Sequence, residues 1–121
     1  MNQQQGRGSL ADLFKSLTLS GTGTVYTVPT ADQNSQPPVL PTTTLVKSIY
    51  LSNQSGGAVA TTVTMLDSSN SSLEVELYKD SLADAAETQI LNGPVVLEQA
   101  DQIKLTGAGV KILINFMEIT Q

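Results

Sequence analysis

The chain reads as an all-β protein: an antiparallel β-sandwich, jelly-roll-like and of about eight strands, with a short N-terminal amphipathic helix and a flexible arm. Three observations predict it. Short runs of β-branched and aromatic residues alternate with polar ones, a pattern that fits a pleated, half-buried surface. Clusters of Gly, Pro, Asn, Asp and Ser separate these runs at roughly 8- to 12-residue intervals. A chain of 121 residues is the size of one domain, able to bury about two thirds of its unfolded surface without staples. With no cysteine, packing must supply the stability, and no thiolate metal site can form. The expected organisation is an arm and helix over 1–23 and a sandwich over 24–121.

Residues 1–8, three consecutive glutamines and then Gly-Arg-Gly, hold nothing apolar beyond the initiating Met and read as a mobile arm. Ser9 with Asp12 makes a variant capping box, and Leu10, Leu13, Phe14 and Leu17 fall at i, i+3, i+4 and i+7. That spacing predicts a helix from about Ser9 to Leu19, ended by Ser20-Gly-Thr-Gly23. A helix of roughly ten residues is marginal in water, and each large apolar side chain gains about 1.5 to 3 kcal/mol on full burial. The four side chains are therefore expected to dock, over Leu113 and Met117 of the sandwich or on a partner subunit. The polar arm ahead and the glycines behind favour the partner.

Thr24 to Val28 is the first strand, closed by Pro29. Thr30 to Pro41, rich in proline and polar residues, is a long surface loop, and its prolines predict an ordered one. The centre of the chain is Thr43 to Leu66, where two strand-like arms flank Asn53-Gln-Ser-Gly-Gly57, residues that tolerate positive φ. This predicts a hairpin. In the first arm Leu45, Ile49 and Leu51 share a face with Lys47, and Val46, Ser48, Tyr50 and Ser52 share the other. In the second, Val59, Val63 and Met65 alternate with Ala58, Ala60, Thr62 and Thr64.

Asp67 to Ser72 is a polar turn, and Leu73 to Tyr78 a strand with Leu73, Val75 and Leu77 inward. Asp80 to Glu87 breaks the pattern as a loop or a single helical turn. Thr88 to Leu91 and Val95 to Leu97 read as two short strands joined by an Asn92-Gly-Pro94 turn. Ile103 and Leu105 share a face in the next strand, Gly107-Ala-Gly109 is a hairpin turn, and Val110 to Ile119 is the last strand. There Val110, Ile112, Ile114 and Phe116 lie on one face and Leu113, Met117 and Ile119 on the other. A strand with two apolar faces needs a second cover, either the N-terminal helix or another subunit.

Composition excludes several classes of function. The net charge is −5, with dispersed acids and no Lys/Arg run, which disfavours a nucleic-acid partner. No run approaches the roughly 18 to 20 apolar residues of a membrane helix, and the start lacks the layout of a signal peptide. A soluble protein made in the cytoplasm is expected. Histidine is absent, which removes the commonest general base and metal ligand and any Ser-His-Asp or Cys-His arrangement. Glu74 and Glu76 share a strand face and could pair for acid–base work or a hard cation, but they occupy outward positions of an alternating strand. Gly21-Thr-Gly23 and Gly107-Ala-Gly109 lack the third glycine of a dinucleotide site and read as turns. No catalytic, cofactor or metal residues are identified, and an enzyme is not expected.

Four segments carry a resemblance: Thr24-Val-Tyr-Thr-Val-Pro29, Leu45-Val-Lys-Ser-Ile-Tyr-Leu-Ser-Asn53, Ser55-Gly-Gly-Ala-Val-Ala60, and Gly93-Pro-Val-Val-Leu-Glu-Gln-Ala-Asp-Gln-Ile-Lys104. In kind and order they resemble small β-sandwich virion proteins of tailed bacteriophages. There a Tyr-x-x-Pro strand precedes an Ile-Tyr-x-Ser/Ala-Asn hairpin with a Gly/Ser tip, and a Pro-x-x-Leu-x-x-x-Asp-x-Ile/Leu element precedes the terminal strand. The resemblance covers about Thr24 to Ile119, and the loop Thr30 to Pro41 departs from it, standing where the group has a short turn. It implies a structural component of a phage particle: a capsid decoration or cement protein, trimeric, bound to the major capsid protein through its N-terminal segment and loops. The alternatives are a neck, tail or fibre-attachment accessory, or a receptor- or carbohydrate-binding module at the tail. Under this reading Leu10, Leu13, Phe14, Leu17, Leu113 and Met117 are the candidate partner-binding residues, and the protein resides in the virion.

Overall fold

The computed structural model describes residues 14–71 and 73–120, at 14–19 and 92 by backbone alone. Among them are eight strands: β1 (Phe14–Ser20), β2 (Gly23–Thr27), β3 (Thr42–Asn53), β4 (Val59–Asp67), β5 (Leu73–Leu82), β6 (Glu87–Leu97), β7 (Gln102–Thr106) and β8 (Val110–Thr120). They form two four-stranded sheets, ordered β1-β8-β3-β6 and β2-β7-β4-β5. Every neighbouring pair is antiparallel. The all-β sandwich expected from the sequence is therefore present. Its core is Tyr26, Val28, Val46, Ile49, Leu51, Val63, Leu82, Leu97, Ile103, Leu105, Val110, Ile112, Ile114 and Phe116, all buried. The last strand's predicted core face, Val110 to Phe116 in steps of two, is fully enclosed.

The connections differ from expectation. β3 lies in one sheet and β4 in the other, so Thr43 to Leu66 is an arch between sheets, not a hairpin. The same holds for Gly107–Gly109, which links β7 to β8 across the sandwich. Of the consecutive strands, only β4 and β5 pair directly, through a 3₁₀ turn at Ser68–Asn70 that the side chain of Asp67 caps. Residues that tolerate positive φ serve an arch as well as a hairpin. What selects the arch is that both arms hold an apolar face, and facing sheets bury both.

Three further corrections follow from strand irregularities and edges. Asn92-Gly-Pro94 is not a turn, because β6 runs through it and the extra residues are absorbed where the register with β3 shifts between Val46 and Ser48. The same shift breaks the alternation of β3: Thr44, Val46, Ile49 and Leu51 face the core, with Leu45 and Tyr50 outside. On β5 the register shifts between Val63 and Thr64, and this strand is a sheet edge, so Leu73 and Val75 are exposed rather than inward.

The predicted helix is also corrected. Its Ser9–Leu13 part lies outside the described residues, but Phe14–Ser20 is strand β1, hydrogen-bonded to β8. Leu17 and Leu19 also stand two apart, a strand period, and they pair with Ile114 and Ile112 of the core strand, respectively. Lateral pairing with an apolar strand outweighs a short helix that lacks cover. Among the described residues the sandwich accordingly already includes Phe14–Ser20, ahead of Thr24.

Buried polar groups hold the crossings in place. Asn53 is fully buried; its Nδ2 donates to the carbonyls of Gly57 and Leu82 at 2.8 Å and of Ala83 at 3.1 Å. Its Oδ1 accepts from Ser55 N at 3.0 Å and Ser55 Oγ at 2.7 Å. The β7–β8 turn packs against the same arch: a Cβ on Gly109, whose φ is +79°, would come within 2.9 Å of Ser55 Cβ. Asp101 does the equivalent work where β7 begins, accepting from Ser68 N at 2.9 Å, Ser68 Oγ at 3.0 Å and Glu98 N at 2.9 Å. Tyr26 of β2 ties the two sheets together. Its hydroxyl donates to Glu118 Oε2 at 2.5 Å and lies 2.7 Å from Thr44 Oγ1, and its ring packs on Phe116 with centroids 4.5 Å apart. Burial, and next the hydrogen bond to Glu118, push its phenol well above the ordinary value of 10.

Two outcomes are expected. Replacing Asn53 by Ala strands buried carbonyls and is expected to cost at least about 2 to 3 kcal/mol in urea unfolding. Because the folded phenol of Tyr26 ionises above its unfolded value, its contribution is intact below pH 10 and declines as pH rises past that point. Tyr26→Phe should thus be less stable at neutral pH, and the gap to the parent should narrow above pH 10, measured by denaturation across that range.

Candidate functional site

The outer face of the first sheet is organised in cross-strand rows, because the registers of β1, β8, β3 and β6 align. The first row is Ser20, Lys111, Ser52 and Glu87, and in the second Leu113 stands beside Tyr50, with Gln89 beyond. The third is polar: Asn115 Nδ2 donates to Ser48 Oγ across it at 3.0 Å, and Lys47, the bulged residue beside Ser48, is exposed there. The fourth is apolar, Met117 beside Leu45 beside Val96. The last places Ile119 beside Thr43, whose Oγ1 donates to Glu98 Oε2 at 3.3 Å.

This face is uncovered by any described residue. Tyr50 is 40% exposed, Leu113 36%, Val96 57% and Ile119 43%. Large apolar groups standing together on one sheet face are the signal of an interaction surface, whereas scattered ones are ordinary. A shallow hollow of about 270 Å³ lies at the end of the face carrying the first two rows, lined by Tyr50, Ser52, Glu87, Thr88, Lys111 and Leu113. The Ser52 hydroxyl is buried beneath it without a hydrogen-bond partner among the described residues. Apolar walls with one cation and one anion on the rim suit the docking of a protein side chain.

Of the six residues expected to bind a partner, Leu113 and Met117 lie on this face. Leu10 and Leu13 lie outside the described residues. Phe14 stands on β1 opposite Met117, and Leu17 opposite Ile114. Three apart on a strand, those two positions belong to opposite faces, so the single stripe that helical spacing predicts is not formed. Tyr50, Leu45 and Val96 were not singled out by the sequence. A hint lay in the spacing of Val46, Ile49 and Leu51, which breaks strict alternation and betrays the bulge.

The loop between β2 and β3 is closed on itself. The backbones of Asp32 and Val39 exchange two hydrogen bonds of 2.8 Å, Asn34 N donates to Asp32 Oδ1, and Ala31 N donates to Gln99 Oε1. It presents Leu40, 52% exposed, to solvent. Glu74 and Glu76 are exposed on edge strand β5, and Glu76 reaches Lys79 at 3.8 Å in an open surface pair. No protein-family model and no curated protein sequence matches the chain.

If the outer face is free surface, polar substitutions there are cheap. Leu113→Ser and Val96→Ser are expected to change stability by less than about 1 kcal/mol in dilute protein, and to reduce binding of an environment-sensitive apolar dye. Ile112→Ser, one residue away on the core face, should cost more than about 3 kcal/mol in the same urea titration.

Proposed function

We propose that this protein is a structural component of a tailed-bacteriophage particle, a decoration or cement protein that binds the capsid shell. The observation that carries the reading is the ordered set of strand and turn motifs from Tyr26-x-x-Pro29 to Asp101-x-Ile103, resembling small virion sandwiches. The eight-stranded sandwich is compatible with it. So is the outer face of the first sheet, whose apolar rows suit contacts repeated over a lattice, where many copies each add a modest buried area. The neutral-polar composition, with 14% charged residues, is of the kind found on virion exteriors. Contact with the shell would come from the segment preceding β1 and from the loop bearing Leu40.

A neck, tail or fibre-attachment position is the second reading, and copy number separates the two. Quantitative mass spectrometry of purified particles is expected to find hundreds of copies for a shell protein. A few to a dozen would move it to the neck or tail, and absence from particles would overturn the virion role.

A further inference from the structure

We propose that the outer face of the first sheet is a self-association surface, occupied by the same face of a second copy about a two-fold axis lying between the two sheets and parallel to the strands. The proposal concerns the chain alone and does not depend on the particle role. An isologous contact requires a patch that complements itself, and the rows meet that requirement. Rotation about such an axis exchanges β8 with β3 and β1 with β6 while each row stays at its own level. Leu113 then faces Tyr50 of the second copy, Met117 faces Leu45, and Asn115 faces Ser48. Apolar groups meet apolar groups, an amide meets a hydroxyl, and the exposed Lys47 of the β3 bulge lies one strand spacing to the side of its counterpart in the second copy rather than face on.

The charges select this axis over its alternative. Lys111 comes to lie over Ser52 of the second copy and one strand spacing, about 5 Å, to the side of its Glu87. Symmetry makes that contact twice. An axis perpendicular to the strands would invert the rows and set Glu87 over Glu98, like charge on like.

The size of the face is adequate. Four strands about 4.8 Å apart, and the stretch Lys111–Ile119 at about 3.4 Å per residue, make roughly 500 Å² per copy. The pair would bury about 1,000 Å², the lower end for specific association, so a reversible dimer is expected.

Sedimentation equilibrium of the full chain from low to high micromolar concentration is the test. The expected result is a monomer–dimer equilibrium that Leu113→Asp abolishes without lowering the melting temperature. Lys111→Glu should weaken it at least about tenfold, and Lys111→Glu combined with Glu87→Lys should restore it. Should Leu113→Asp also destabilise the fold, the exposed charge pair decides alone. A parent that stays monomeric would leave the face to another molecule or to the residues preceding Phe14, and would overturn the proposal. So would a trimer, a Leu113→Asp variant that dimerises like the parent, or a charge exchange that fails to restore pairing.

Discussion

A chain that changes sheets leaves backbone carbonyls at the sandwich ends without ladder partners, and the side chain of Asn53 satisfies three of them at once. These carbonyls belong to two connections, the β3–β4 arch at Gly57 and the β5–β6 crossing at Leu82 and Ala83. One amide therefore fixes where strands of both sheets end. Unpaired polar groups in such a place cost more than their hydrogen bonds contribute, so the residue must supply two donors and an acceptor. Asparagine does so within a small volume. The Gly107–Gly109 turn packs on the same arch because residue 109 lacks a Cβ.

At the other end Asp101 collects donors from Ser68 and Glu98, while Tyr26 reaches across the core to Thr44 and Glu118. Sheet-to-sheet contact is otherwise apolar and non-directional, and sets separation better than it sets lateral position. The polar ties at both ends supply direction. They also leave the outer face of the first sheet out of the fold's own energetics, so that Leu113, Tyr50 and Val96 can serve contacts outside the molecule.

The sequence made the class of fold legible because alternation and turn chemistry are local. It made the pairing much less legible. Asn53-Gln-Ser-Gly-Gly57 looks the same whether the following strand folds back beside β3 or crosses above it, since the difference lies in partners about 60 residues away. Phe14 to Leu19 satisfies helical and strand spacing together, and only a free edge on β8 decides between them. The residues that carried the resemblance prove to be the ties themselves: Tyr26 of the first motif, Asn53 of the second and Asp101 of the last. Such a signature marks how the sandwich is held, which explains why it points to a kind of sandwich and to no site. Of the candidate face, Leu113 and Met117 were legible from the doubly apolar last strand, while Leu45 and Val96 were hidden by the bulge.

The single hairpin, β4 with β5, has a consequence for the order of folding. During synthesis it is the one neighbouring pair that can close as soon as its second strand emerges. The first sheet starts later and in part: β3 gains β6 first, whereas β1 and the other edge of β3 both take β8, the final strand described, as their neighbour. Until β8 leaves the ribosome, β1 and the β8-facing edge of β3 stay unpaired. The nascent protein is then open to strand capture by other chains, and the first sheet closes only when β8 arrives.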